Sequence, residues 1–205
     1  NSILRGVLLG ATSALALAAA PASAQQFSCG KTGGNLIFAQ EAKVNSLDQH
    51  TSSTISTRNV AMNMFESLMT RDENMNPMLE LADSVSESAD KLVYTFKIRQ
   101  GAKFHNGKDL SEVDVAASLN RYKRLGIDRS ILDVIEKWEA TDAHTFVVTL
   151  KRALPTFMET FSAFTTPIVI IPKEQEDAGP NQLQIIGTGP FQVVEFVGDS
   201  HVKLK

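Results

Sequence analysis

The spacing of apolar and polar positions changes several times along this chain, and each change predicts an element. Gly6 to Ala20 is an apolar stretch dominated by Leu, Val and Ala, preceded by Arg5 and followed by Ala22-Ser23-Ala24. That is the layout of a secretory signal peptide, preferred to a buried helix because an uncharged Ala/Leu run at a chain start rarely forms one, and to an anchor because the run falls short of a span of roughly 20 residues. Cleavage is expected near Ala24, and Gln26-Phe27-Ser28 before Cys29 does not make a lipoprotein site. After Gly33-Gly34, Asn35–Ala39 reads as a short apolar strand and residues 40–56 as a polar loop. Val60, Met64, Phe65, Leu68 and Met69 recur at helical spacing, predicting a helix capped by Ser56.

From Leu92 the period drops to two. Leu92, Tyr94, Phe96 and Ile98 face one way and Val93, Thr95, Lys97 and Arg99 the other, the pattern of a half-buried antiparallel strand. Gln100-Gly101 turns it, Ala102–His105 returns, and Asn106-Gly107 is a turn dipeptide. Ser111 and Asp114 open a second helix with Val115, Leu119 and Tyr122 on one face. Trp138–Leu150 reads as two strands joined at Asp142-Ala143-His144, and Pro155 as the first turn of a helix carrying Phe157, Phe161 and Phe164. Ile168–Ile171, between Pro167 and Pro172, predicts a strand buried on both faces. Phe191–Val197 and His201–Lys205 read as strands around Gly198-Asp199-Ser200, with Asn35–Ala39 in the same sheet. Because the last strand lacks a closing element, the chain is expected to be part of a longer protein.

Composition narrows the function. The net charge is −3, and removing Arg5 with the leader makes it more negative. Such a chain has no basic field for phosphate backbones, which argues against nucleic acid as a partner. Cys29 stands alone, so it cannot form an internal disulfide. Gly187-Thr188-Gly189 lacks the third glycine of a dinucleotide loop, and Gly30-Lys31-Thr32 lacks the first glycine of a phosphate loop. His50, His105, His144 and His201 are scattered without metal-ligand spacing, and no nucleophile–base set can be assigned. No cofactor, metal or catalytic residue is predicted; the protein is not expected to be an enzyme.

Four segments, in order, resemble the family 5 solute-binding proteins, the peptide, dipeptide and nickel group. Phe65-Glu66-Ser67-Leu68 is similar to the family's YEGL, and Met78-Leu79-Glu80-Leu81-Ala82-Asp83-Ser84 to PxLAxSW, with Val85 where the family has Trp. Tyr94-Thr95-Phe96-Lys97-Ile98-Arg99-Gln100-Gly101-Ala102-Lys103-Phe104-His105-Asn106-Gly107 resembles YTFxLRxGVKFHDG. The following helix opens with Ser111-Glu112-Val113-Asp114-Val115 rather than AEDV, and Ile186-Gly187-Thr188-Gly189-Pro190-Phe191 is similar to IGTGPY/F. The resemblance implies an α/β, periplasmic-binding-protein-like (type II, two-lobe) fold, with only the N-terminal lobe and its extra subdomain present. Residues 25–205 would be the N-terminal part of the solute-binding domain, with the subdomain inserted at about 51–175 and flanks 35–50 and 185–205 in the ligand-proximal sheet.

It further implies the substrate-binding component of an ABC importer, a monomer when full length, which captures di- or oligopeptides in the periplasm and delivers them to permease subunits at the membrane. The alternative solute is a nickel or other metal chelate, an opine or a sugar-like compound. A secreted hydrolase has no residue pattern behind it. Peptide-binding members hold the ligand as an added strand, a task suited to polar loops at strand ends. The expected contacts are therefore Asn45, His50, Thr51, Ser52 and Ser53 in one loop and Gly187, Thr188, Gly189 and Phe191 in another. Both loops have a plain structural alternative, a solvated loop for the first and a hinge-side turn for the second; His105 is expected to be structural. Asp72, Glu73, Glu80 and Asp83 form an acidic patch, read as solvated surface before permease docking.

Overall fold

A computed structural model describes residues 33–205; the expected leader, its cleavage point and Cys29 lie outside them. Gly33–Phe38, taken alone, has no regular structure, and Leu36, Ile37 and Phe38 are exposed. The expected strand at Asn35–Ala39, and its sheet with Phe191–Lys205, are not found. An apolar run becomes a strand only where a neighbour takes up its backbone N–H and C=O groups, and among the described residues no ladder reaches this one.

The remainder, Ala39–Lys205, is a second compact unit. Helix α1 (Ile55–Ala61) leads to β1 (Met69–Arg71) and β2 (Pro77–Leu79), then β3 (Ala82–Glu87) and β4 (Val93–Ile98). Helix α2 (Glu112–Leu125) precedes β5 (Ile135–Asp142) and β6 (Thr145–Leu150), and α3 (Phe157–Phe161) precedes β7 (Val193–Val197) and β8 (His201–Leu204). All pairings are antiparallel: β1 with β2, β7 with β8, and a four-stranded sheet ordered β3-β4-β6-β5. The period-two reading of β4 holds, since Tyr94, Phe96 and Ile98 are buried and Lys97 is exposed. Its partners, however, are β3 and β6. Ala102–His105 does not return along it; the following turn closes on itself through an isolated bridge, Lys103 to Asp109, and backbone bonds such as Phe104 N–H to Lys108 C=O and Leu110 N–H to Ala102 C=O.

Two cores result. The first joins Tyr94, Phe96, Phe146 and Val148 of the sheet to Val115, Leu119 and Tyr122 of α2 and to Phe157 and Phe161 of α3. Phe157 lies 4.6 Å from Tyr94 and 5.3 Å from Phe161, ring to ring, within the range of favourable aromatic pairs. The second core gathers Val44, Leu47, Ala61, Met64 and Phe65, with the inner face of the β7–β8 hairpin packed against it.

Ile168–Ile171 divides the two. Ile168 and Ile170 enter the first core, Val169 and Ile171 the second, so the run is buried on both sides as expected. It is not a ladder strand; a polar stripe on α2 bonds its last residue and its two flanks. Asp114 accepts from Lys173 N–H, Ser118 from Ile171 N–H, and Tyr122 donates to Thr166 C=O. These residues, four apart, share one helix face. One bridge, Ser67 to Val169, the Ile170 N–H bond to Glu66 C=O and the His50 Nε2 bond to Val169 C=O add to the run's attachment. Asp114 also accepts from the backbone N–H and hydroxyl of Ser111, the acid half of the expected capping box.

The first helix is shorter than its apolar stripe. Thr54 rather than Ser56 caps it, through Thr57 N–H, and it ends at Ala61. The reason is downstream: the carbonyls of Asn63 and Met64 accept from Phe191 and Gly189 instead of from a continuing helix. Met64, Phe65, Leu68 and Met69 are all buried, but along a turning, extended chain.

The acidic patch is dispersed by local bonding. Asp72 closes its own turn by accepting from Asn74 and Asn76, and Asp83 faces Arg99. Glu80 accepts the Ser67 N–H at 2.7 Å, and burial, opposed by that bond, pushes its carboxyl up to about 7. The folded state therefore holds a proton that the unfolded state has released, and stability falls as pH rises from 4.5 towards 7. Glu80→Gln keeps an acceptor for Ser67 and is expected to remove this slope. With partial exposure discounted, the variant should be more stable than wild type by about 1–2 kcal/mol at pH 8. Urea melts at pH 5 and pH 8 measure it; equal slopes in both proteins would rule out Glu80 as the source.

Candidate functional site

The polar loop before α1 has an inside and an outside. Asn45 and Ser53 are exposed and Thr51 and Ser52 half-buried, whereas Asp48, Gln49 and His50 are buried. The buried residues hold the turn. Asp48 N–H donates to Ser46 Oγ at 3.0 Å, Asp48 Oδ1 accepts His50 N–H at 3.2 Å, and Asp48 C=O accepts Thr51 N–H at 3.2 Å. Such an Asp-centred turn bonds locally what would otherwise be orphaned backbone. Gln49 Nε2 donates to Ser52 C=O, and the hydroxyls of Ser52, Thr54 and Thr57 form a chain leading into α1. Hydroxyl and amide groups on a rigid base can hydrogen-bond an uncharged polar solute.

Beneath the loop lies an arginine that sequence reasoning did not pick out. Arg121 of α2 is fully buried and uses all five guanidinium N–H donors. Nη1 and Nη2 bond the two Asp48 carboxylate oxygens at 3.0 and 2.6 Å, and Nη1 also bonds His50 Nδ1 at 3.0 Å. Nε and Nη2 reach the carbonyls of Ala178 and Gly179 at 3.0 and 3.2 Å. Since Arg can only donate, His50 Nδ1 is an acceptor, and Nε2 carries the proton that bonds Val169 C=O at 2.8 Å. Burial, reinforced by the Arg121 charge, lowers the His50 imidazole to about 4, so it is neutral near pH 7. The available signal was positional: Arg121 sits beside Tyr122 and three residues from Ser118, on the buried side of α2.

The second expected loop is built differently. Gly187 and Gly189 are buried, Thr188 is half-buried and Phe191 exposed. His105 brackets the glycines: its backbone N–H donates to Gly187 C=O at 2.8 Å, its Nδ1 accepts Gly187 N–H at 3.3 Å, and its Nε2 donates to Gly189 C=O at 2.8 Å. The two sequence segments that carried most of the resemblance thus meet around one imidazole. An added Cβ at Gly187 or Gly189 would run into the Asn63–Met64 backbone, so these glycines serve close packing.

Of the expected contacts, Asn45, Thr51, Ser52, Ser53 and Phe191 therefore present surface, Thr188 does so in part, and His50, Gly187 and Gly189 face inward. Beside the first loop is a groove of about 180 Å³ lined by Asn45, Ser46, Leu47, Asn181, Leu183 and Phe196. A larger depression of about 440 Å³, lined by Ile131, Val134, Lys151, Arg152 and Leu154, touches none of the expected contacts. The described histidines lie apart, and among the described residues no group of three His, Cys, Asp or Glu side chains could hold a metal ion. Nor, among them, is any helix long and apolar enough to cross a membrane.

Comparisons with known proteins show the family and the fold. The profile of the bacterial extracellular solute-binding proteins, family 5 Middle, matches residues 76–205. A glutathione-binding protein, GsiB, of Escherichia coli (strain 536) is 29% identical over 192 residues, 90% of this chain and 36% of the relative. MoaA of A. tumefaciens R10, solved with mannopinic acid, superposes with a TM-score of 0.72 at 30% identity, over 79% of this chain and 34% of that one. The oligopeptide-binding protein AppA of Bacillus subtilis, solved with a nonapeptide, gives 0.66 at 26%, over 77% and 33%. The chain thus spans about a third of the length of the relatives it matches, and within that third it has the fold of the periplasmic binding proteins.

Proposed function

Given that this chain belongs to the family 5 bacterial extracellular solute-binding proteins, we propose that it is part of the substrate-binding component of an ABC importer for di- or oligopeptides, presenting one wall of the solute cleft through Asn45, Thr51, Ser52, Ser53 and Phe191. The carrying observation is the division of the 45–54 loop into a hydrogen-bonding rim and a buried, bonded base. The adjoining groove of about 180 Å³ supports the two-lobe reading. It is smaller than the about 300–1,000 Å³ of a self-sufficient small-molecule pocket, so a solute held here needs a facing surface. In the proposal the solute bridges two lobes and its contacts stabilise the closed form, which the permease recognises. Export to the periplasm with cleavage near Ala24, the absence of catalysis and a monomeric state belong to the same proposal.

A second reading is a sugar-acid or opine solute, favoured by the 30% identity to a protein solved with mannopinic acid and by the hydroxyl-rich rim. Thermal melts of the purified full-length protein against panels of di- to nonapeptides and of sugar-acid conjugates separate the two. A ligand at a hundredfold excess over its Kd stabilises by about 2.7 kcal/mol. Peptide stabilisation of that size supports the first reading, sugar-acid stabilisation alone supports the second, and no shift with any member removes both.

A further inference from the structure

Arg121 does more than neutralise Asp48, and His50, neutral itself, is bonded to it. The loop is tied down from four directions: by Arg121 on α2, by Ile127 N–H on His50 C=O, by Val169 C=O on His50 Nε2, and, through Arg121, by the carbonyls of Ala178 and Gly179. The His50 ring also meets Tyr122 edge-on at 5.3 Å. Neither Arg121 nor His50 has any exposed surface, so neither can touch a solute. Yet together they anchor the Asp48 and His50 side chains to α2, Val169 and residues 178–179, and the segment so anchored is continuous with Thr51, Ser52 and Ser53 on the rim. Polar contacts to a solute depend on donor–acceptor distances of a few tenths of an ångström, and a site keeps such distances only if the residues beneath it are themselves locked.

We propose that Arg121 and His50 are positioning residues for solute binding, acting as a buried clamp that sets the conformation of residues 48–54. This rests on the reading of that loop as solute-facing. The imidazole is required as one acceptor and one donor at opposite ends of a flat ring, spanning from Arg121 to Val169.

The test compares His50→Phe, which keeps a ring against Tyr122 but bonds neither neighbour, with His50→Gln, which retains one acceptor and one donor. Hydrogen exchange on the full-length protein is read for amides 50–54 against those of α2 and the four-stranded sheet, and affinity is measured for glutathione and for mannopinic acid. The clamp predicts tenfold or faster exchange at 50–54 in His50→Phe with α2 and the sheet unchanged, at least tenfold weaker binding of whichever probe binds, and partial recovery of both in His50→Gln. Exchange that rises uniformly, or not at all, overturns it, as does local loosening with unchanged affinity. If His50→Phe does not fold, His50→Gln against wild type gives the same comparison with smaller shifts. Failure of the wild type to bind either probe counts against the solute assignment; the exchange pattern still decides whether Arg121 and His50 hold residues 48–54, and affinity decides whether that hold serves binding.

Discussion

Arg121→Met lowers the folding stability of the chain by about 3–5 kcal/mol, the loss expected when one partner of a buried ion pair is removed and the other charge stays behind. Asp48 is 2% exposed and would keep a carboxylate that has lost both guanidinium arms. The carbonyls of Ala178 and Gly179 lose their donors, and His50 Nδ1 loses its only Arg contact. Methionine has about the right bulk and flexibility to fill the space, so the deficit is electrostatic rather than a void. That distinction is measurable. In Asp48→Asn with Arg121→Met the orphaned charge is gone, and the double variant should be more stable than Arg121→Met alone, giving a clear coupling energy in a double-mutant cycle. Additive losses from the two single changes would mean that the pair is not coupled in the folded protein. A loss under about 1 kcal/mol for Arg121→Met would place the side chain in water, where ion pairs contribute that little.

Much of the fold could be read from local pattern, and the failures share one cause. Strand β4 alternates so regularly that its buried face followed from spacing, and the capping box at Ser111 and Asp114 placed the start of α2. The β5–β6 and β7–β8 hairpins followed from their turn residues. Apolar spacing states that a residue is buried, not which backbone partner buries it. Met64, Phe65, Leu68 and Met69 were correctly apolar and buried, but the carbonyls of Asn63 and Met64 are captured by a segment more than 120 residues away in sequence, and the helix stops. Ile168–Ile171 failed likewise, since Ser118 of α2, His50 and the Glu66 carbonyl, all distant in sequence, bond its backbone in place of a strand partner.

For the site, residue type located the polar loop but not its orientation. His50 carried the same polar label as Thr51 and Ser52, although it points inward and they form the rim. What separates them is Arg121, which lies seventy-one positions away from His50 and reads as one more charge on an amphipathic helix. A buried charge is costly unless every donor is matched. Its five partners come from the Asp48 carboxylate, His50, Ala178 and Gly179, and no local window contains them together.

The GTGPF segment shows how tightly one such long-range contact can be drawn, and Gly187→Ala should cost about 3 kcal/mol, at the upper end of what overpacking does. The added Cβ would lie 1.9 Å from Met64 O and 2.8 Å from its carbonyl carbon. Both are backbone atoms that cannot rotate aside, and Met64 O is already held by Gly189 N–H at 2.9 Å. Relief therefore requires residue 187 to move. Moving it breaks the 2.8 Å bond from His105 N–H to Gly187 C=O and the weaker one from Gly187 N–H to His105 Nδ1. Strands β7 and β8 follow directly in the chain, so amides 193–204 should exchange faster than those of the four-stranded sheet. Gly198→Ala is the internal control, because a Cβ there meets nothing within 4 Å and the melt should stay within about 0.5 kcal/mol of wild type. If Gly187→Ala melts with Gly198→Ala, residues 187–189 do not lie against residues 63–64 in the folded protein, and the reading of these glycines as close-packing positions falls with that result.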